Sequence, residues 1–337
     1  MTAATLTPGP RNLITDVPGL RAGNAHDEKA RTGVSVILPD APAAAGASIR
    51  GGAPGTRETE ALDPACLVQG VHGIVLTGGS VFGLAAASDE VIKALAAQGS
   101  GFTYGAGQPP CPVVPGANLF DLTNGGNKDW GGDPPYRRLA KEALAAAGKD
   151  FSTGLAGAGF GATAGVFAGG LGSASTCWKG VTIGALAALN SFGAPFDPRT
   201  GALMALDLAL DGDFGDGGPC RAEAAGEAGD PFAFSKARLI EEAQLKAGMN
   251  TTLAVVATDA RLDKAEAKRL AIMADDGLAR AIRPIHTPYD GDVVFALSTG
   301  ERELEGDRTA ALTMLGALAA DTLSRAVMRG VCAALGS

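Results

Sequence analysis

The stretch "KAGMNTTLAVVATDA", Lys246 to Ala260, sets an amide and two hydroxyls (Asn250, Thr251, Thr252) directly before an apolar run. Leu253 to Thr258, an apolar run, reads as a buried strand. Asn and Thr are common at turns and strand entries, and "NTT" also fits a glycosylation sequon. The same placement suits a second chemistry. A threonine carries its own base if the chain is cut just before it, since the new α-amino group, titrating near ~8, lies within reach of its own hydroxyl. The cut would be an attack of the Thr251 hydroxyl on the Asn250 carbonyl, giving an ester that water hydrolyses. The strand anchors the nucleophile, and a flexible segment before it lets the other end leave.

The neighbouring sequence supplies the layers for such a strand. Val34 to Leu38 and Gly73 to Leu76 are short β-branched runs that predict strands, and the second runs through a glycine turn into a helical pattern at Phe82 to Ala97. Gly180 to Leu189, "GVTIGALAAL", suits strand or helix, with strand preferred. Residues 211–235 mix glycine, proline and acid without periodicity, which predicts an exposed, mobile segment. A short helix is expected near Ala237 to Lys246. Beyond the strand, Leu262 to Ile282 carries a helical pattern with Asp263 as a cap. Asp292 to Thr299 predicts another strand, and Ala310 to Leu335 a closing helix open to interruption. Strands and helices in this order favour a mixed α/β layered fold.

With 337 residues, 46% of them apolar and 19% charged, the chain is long enough to bury a full core. A formal charge of −8 and no cluster of Lys and Arg argue against nucleic acid as a partner. The first residues lack a basic and apolar leader pattern and no later run approaches the ~18 apolar residues of a membrane span, so no membrane partner is expected and the cytoplasm is the default location. Five scattered cysteines (Cys66, Cys111, Cys177, Cys220, Cys332) without a CxxC spacing predict buried free thiols, with neither a disulfide framework nor a zinc site. His26, His72 and His286 are far apart in sequence, and each is expected to be structural. No GxSxG, HExxH or Walker sequence occurs, and "GGSVFG" at Gly78 resembles a phosphate loop only in having glycines before a helix.

"NTTLAVVATDA", together with "HTPYDGDVVFALSTG" at His286, resembles the self-processing N-terminal-nucleophile hydrolases of the DmpA type, the L-aminopeptidase/D-Ala-esterases, and particularly their nylon-oligomer hydrolase branch. Further blocks follow in the family's order: "ITDVPGLRAGNAHDEKARTGVSVIL" at Ile14, "RGGAPGTRETEALDP" at Arg50, "VHGIVLTGGSVFGLAAASD" at Val71, "VPGANLFDL" at Val114, "GAGFGATAG" at Gly157 and "GALAALNSFG" at Gly184. The likeness spans nearly the whole chain.

The resemblance implies an αββα-type sandwich forming one hydrolase domain, cut between Asn250 and Thr251 into interwoven fragments of 250 and 87 residues. It implies Thr251 as nucleophile and Asn190 as a group holding the reacting carbonyl. Asp290 and Asp292 would orient the amine and hydroxyl of Thr251. Two residues apart on an extended segment, their carboxylates would face one side and reach one ammonium group. No metal or organic cofactor is implied, the partners are peptide or oligoamide substrates, and self-association as a homotetramer is expected. Phe120 and Val166 stand where the nylon-oligomer hydrolases carry a tyrosine and a lysine, so the pocket lacks a hydroxyl and an ammonium unless Lys179 or another group replaces them. Such a pocket suits an extended, uncharged aliphatic ligand. The alternatives are acyl transfer of the ornithine acetyltransferase kind, and a small-molecule-binding homologue without activity.

Overall fold

The strand predicted at Leu253 to Thr258 extends from Thr251 to Ala260, so both threonines lie inside it, and all ten of its residues are buried. This follows from its place in the middle of a sheet covered on both sides. Leu253, Val255 and Ala257 point into one apolar cluster, while Ala254 and Val256 point into another. The computed structural model describes residues 5–224, 230–242, 245–246 and 248–336.

In chain order the strands are β1 (Leu20–Asp27), β2 (Thr32–Pro39), β3 (Ala44–Ile49), β4 (Thr56–Arg57), β5 (Ile74–Thr77), β6 (Gly116–Asn118), β7 (Thr163–Ala164), β8 (Phe167–Ala168), β9 (Leu171–Trp178), β10 (Val181–Asn190), β11 (Thr251–Ala260) and β12 (Val293–Arg302). The helices are α1 (Ser80–Ala97), α2 (Tyr136–Ala145), α3 (Ala237–Glu241), α4 (Lys264–Ala281) and α5 (Arg308–Leu335). One sheet has the order β1-β2-β5-β6-β4 and the other β3-β12-β11-β10-β9, with β7 and β8 forming a small hairpin. The sheets face each other through Ile37, Ile74 and Leu76 on one side and Leu186, Val255 and Phe295 on the other. Helices α1 and α2 cover the outside of the first sheet, and α4 and α5 cover the outside of the second. The architecture is the expected αββα sandwich.

Gly180 to Leu189 is a strand, and Ala310 to Leu335 lies within one continuous helix. Asp263 caps α4 by accepting from the Glu266 N–H, while the Glu266 carboxylate accepts from the Asp263 N–H. The short helix expected near Ala237 to Lys246 is confined to α3; residues 243, 244 and 247 lie outside the described residues. At Gly79, φ is +78° and a Cβ would lie 2.0 Å from the Tyr136 ring, so only glycine fits ahead of α1. The Gly79 N–H donates to Asp121 Oδ1. A carboxylate of the chain itself therefore fills the place a phosphate would take.

Two expectations are corrected here. Cys220 and Cys332 form a disulfide, while Cys66 and Cys111 are exposed and Cys177 is half-buried, so the cysteines are not five buried thiols. Residues 211–235, of which 225–229 lie outside the described residues, are not a uniformly exposed tether. Asp213 is buried beneath Arg325 of α5, whose Nε and Nη2 donate to its two oxygens at 2.8 and 2.6 Å. Cys220 is bonded to the same helix two turns further on. Phe234 and Ser235, at the end of the segment, are also buried. The Arg325 charge, 1% exposed, explains this: a guanidinium needs a paired acid to be carried inside the fold.

Candidate active site

Strand register brings the site together. Antiparallel pairing of β10 with β11 sets Asn190 opposite Thr251, and parallel pairing of β11 with β12 sets Leu253 beside Val293. One residue before β11, Asn250 forms an isolated parallel bridge with Asp290. Its N–H donates to Tyr289 O at 3.2 Å, and its carbonyl accepts from the Gly291 N–H at 2.8 Å. The Thr251 hydroxyl donates to this same Asn250 carbonyl oxygen. A nucleophilic oxygen and a polarising N–H thus converge on one carbonyl, with Asn250 and Thr251 1% and 2% exposed. Gly291 has to be small: a Cβ there would meet Ala53 O at 2.6 Å and Thr251 Oγ1 at 2.9 Å.

The two acids do not share one partner. Asp290 Oδ1 accepts from the Phe192 N–H at 2.9 Å, and its Oδ2 accepts from the Thr287 N–H and hydroxyl. Asp292 Oδ1 accepts from the Thr252 N–H at 2.6 Å, and its Oδ2 is bound by the His286 N–H and ring Nδ1. Burial, with the neighbouring Asp292 charge, raises the Asp290 pKa to about 6. The segment carrying these acids is a turn closed by Thr287, so they serve separate backbone amides and do not line up along an extended chain.

His286 is no isolated structural residue. It bridges Asp292 and Asp275, with Nε2 3.4 Å from Asp275 Oδ1. Burial alone would lower its pKa, but the Asp292 hydrogen bond and the charge of Asp275 hold it above the ordinary histidine value. Asp275 is in turn held by the Arg50 guanidinium at 2.9 Å and the Ser48 hydroxyl at 2.8 Å. The carboxylate beneath Thr252 is therefore the end of a charged chain running through the second sheet's edge.

Asn190 stands beside the Asn250–Thr251 bond but not on the Asn250 carbonyl. Its Nδ2 donates to Phe120 O at 2.9 Å and Met249 O at 3.2 Å, and its Oδ1 accepts from the Thr163 N–H. Phe120 therefore enters the site through its carbonyl. Val166 is 62% exposed on the β7–β8 turn and does not wall an enclosed pocket. Lys179 lies at the opposite end of β9 and β10, over the Trp178 ring, so it does not replace the missing ammonium.

Lys236 does bring an ammonium there, and nothing in its sequence neighbourhood marks it. It lies just past Phe234, whose carbonyl accepts from the Val166 N–H. Its Nζ donates to Asn250 Oδ1 at 2.8 Å and to Thr163 O at 3.0 Å. Burial pushes its pKa down to about 7, against the opposing pull of the Asp290 charge.

Residues 12–336 match the sequence profile of peptidase family S58. The chain belongs to peptidase family S58. It is a hydrolase of peptide or amide bonds. An uncharacterised aminopeptidase of Mycobacterium tuberculosis is 42% identical over 95% of this chain and 93% of its own length. The 6-aminohexanoate-oligomer endohydrolase of Kocuria sp. is 28% identical over 95% and 86%. Among solved structures, a Burkholderia sp. β-aminopeptidase superposes with a TM-score of 0.67 at 25% identity, covering 97% of this chain and 88% of that one. The L-aminopeptidase D-Ala-esterase/amidase of Ochrobactrum anthropi, a variant of the N-terminal-nucleophile hydrolase fold, gives 0.68 at 22% identity over 98% and 88%. In this S58 hydrolase the clefts of about 780 Å³ beside α2 and about 600 Å³ at Lys179 do not include Thr251.

Proposed function

We propose that the chain is an inactive precursor that cuts itself between Asn250 and Thr251 and then acts as an N-terminal-threonine aminopeptidase. The convergence of the Thr251 hydroxyl and the Gly291 N–H on the Asn250 carbonyl carries this reading. Attack by Oγ1 on that carbonyl carbon forms a tetrahedral oxyanion facing the Gly291 N–H. The C–N bond then breaks, the Thr251 nitrogen takes a proton, and Asn250 is left as an ester on Oγ1. Water hydrolyses the ester, leaving an Asn250 carboxylate and a free Thr251 amine.

That amine, with an intrinsic pKa near ~8, becomes the base for turnover. Thr251 attacks a substrate amide, the amine passes the hydroxyl proton to the leaving nitrogen, and water releases the acyl group. Departure of the Met249 and Asn250 end frees the Asn190 Nδ2 from the Met249 carbonyl, so that it can bind an acyl oxygen together with Gly291. None of these steps calls on a metal or organic cofactor. The relatives of higher identity are named aminopeptidases and those of lower identity oligomer endohydrolases, which favours peptides and amino-acid amides. The family resemblance supports a homotetramer, expected as a species of about four chain masses by light scattering.

A Thr251→Ala chain tests the chemistry. It is expected to stay whole at 33.6 kDa and to hydrolyse no amide, whereas the unaltered chain yields a small fragment starting Thr-Thr-Leu-Ala. Full amidase activity in Thr251→Ala would sink the assignment.

A further inference from the structure

Lys236 is only 8% exposed, on the segment that precedes the cut. Burying an ammonium is unfavourable unless the hydrogen bonds it loses to water are replaced. Here one of them goes to the side-chain oxygen of Asn250, the residue on the acyl side of the scissile bond. Its second acceptor, Thr163 O, is a backbone carbonyl whose availability does not depend on any residue type. Asn250 Nδ2 is buried without a partner, so within that side chain the oxygen is the atom being recognised.

The acyl group of a substrate meets the same nucleophile and the same Gly291 N–H as the Asn250 carbonyl does. Its α-substituent then falls where the Asn250 side chain lies, and once the cut end has left, Lys236 faces that space with a donor released. We propose that Lys236 reads the acyl-side residue, in self-cleavage and in turnover alike, so that the enzyme prefers substrates whose acyl residue carries an oxygen acceptor on its γ carbon: asparaginyl and aspartyl amides. This rests on Thr251 being the nucleophile. Asp290 and Asp292 add negative charge nearby, which favours the neutral carboxamide of the two. An aliphatic acyl residue of the same size leaves the lysine donor buried and unpaired, the situation in which polar sites discriminate most strongly.

The test compares L-asparaginyl, L-aspartyl and L-leucyl p-nitroanilides on the matured protein, asparagine and leucine being close in volume. The expected kcat/KM ratio of asparaginyl over leucyl is at least about tenfold, falling to near unity in Lys236→Met and partly restored in Lys236→Arg. A ratio below one in the unaltered enzyme, or one that Lys236→Met leaves in place, overturns the proposal. Should Lys236→Met fail to mature, self-cleavage reports the same contact. Asn250→Leu is expected to slow the cut at least about tenfold, with Asn250→Asp much closer to the unaltered rate, and an undiminished rate in Asn250→Leu overturns the proposal. Failure of the nucleophile assignment itself shows separately, as an unaltered chain that releases no fragment beginning at Thr251.

Discussion

The Gly291 N–H donates to the carbonyl oxygen of Asn250 at 2.8 Å, and the space beside Gly291 that a Cβ would take lies 2.9 Å from the hydroxyl oxygen of Thr251. One residue thereby polarises the carbonyl and, by lacking a side chain, leaves room for the Thr251 hydroxyl beside it. Gly291→Ala would place a methyl 2.9 Å from Thr251 Oγ1 and 2.6 Å from Ala53 O, closer than either contact allows. The expected outcome is self-cleavage slowed by about 10²-fold, the loss typical of a displaced oxyanion donor, in a chain whose circular dichroism is unchanged. A time course of the two fragments on a denaturing gel measures it.

The Cys220–Cys332 disulfide makes a second prediction. Cys220 lies before the proposed cut and Cys332 after it, so hydrolysis of the Asn250–Thr251 bond would not separate the pieces. An oxidised sample is expected as one band at 33.6 kDa without reductant and as two, of about 25 and 9 kDa in proportion to length, with it. Two bands under both conditions in a sample without free thiol at Cys220 would contradict the pairing.

Arg325 and Asp213 span the same junction, one on each prospective fragment. Asp213→Ala strands a guanidinium that is 1% exposed, and its expected cost is about 3–5 kcal/mol. Urea unfolding of the uncut Thr251→Ala chain, with and without Asp213→Ala, provides the comparison in a single polypeptide.

Lys236 gives a pH dependence with a definite sign. Its folded pKa of about 7 lies below the ordinary 10.5, so between these values the unfolded chain binds more protons than the folded one. Stability therefore rises with pH from about 7 to about 10.5, by on the order of 4 kcal/mol for this group. Asp290, raised to about 6, acts only at lower pH. In the Thr251→Ala background, Lys236→Met is expected to be more stable than its parent at pH 7 and to lose that advantage toward pH 10, read from urea midpoints.

Much of the fold was legible because burial writes a local pattern. The unbroken apolar run after Thr252 marks a strand covered on both faces, the 3.6-residue pattern of Leu262 to Ile282 marks a helix on one face, and Asp263 marks its start. The ordered family blocks supplied the αββα architecture, and Asn250 and Thr251 could be singled out because strand entry and chemistry fall on the same two residues. What failed was pairing. The partners of His286, read only as structural, went unseen because Asp275 and Asp292 reach it from different elements, and Cys220 and Cys332 are 112 residues apart.

By itself, then, the sequence determined which segments are buried and which threonine stands just ahead of the central apolar run. Only the tertiary structure decided that Gly291, and not Asn190, donates to the Asn250 carbonyl, and that Lys236 brings an ammonium to the site. The reason is physical. Periodic burial depends on neighbours a few residues away, whereas a hydrogen bond between a given N–H and a given oxygen depends on the register of strands and the path of loops far apart in the chain.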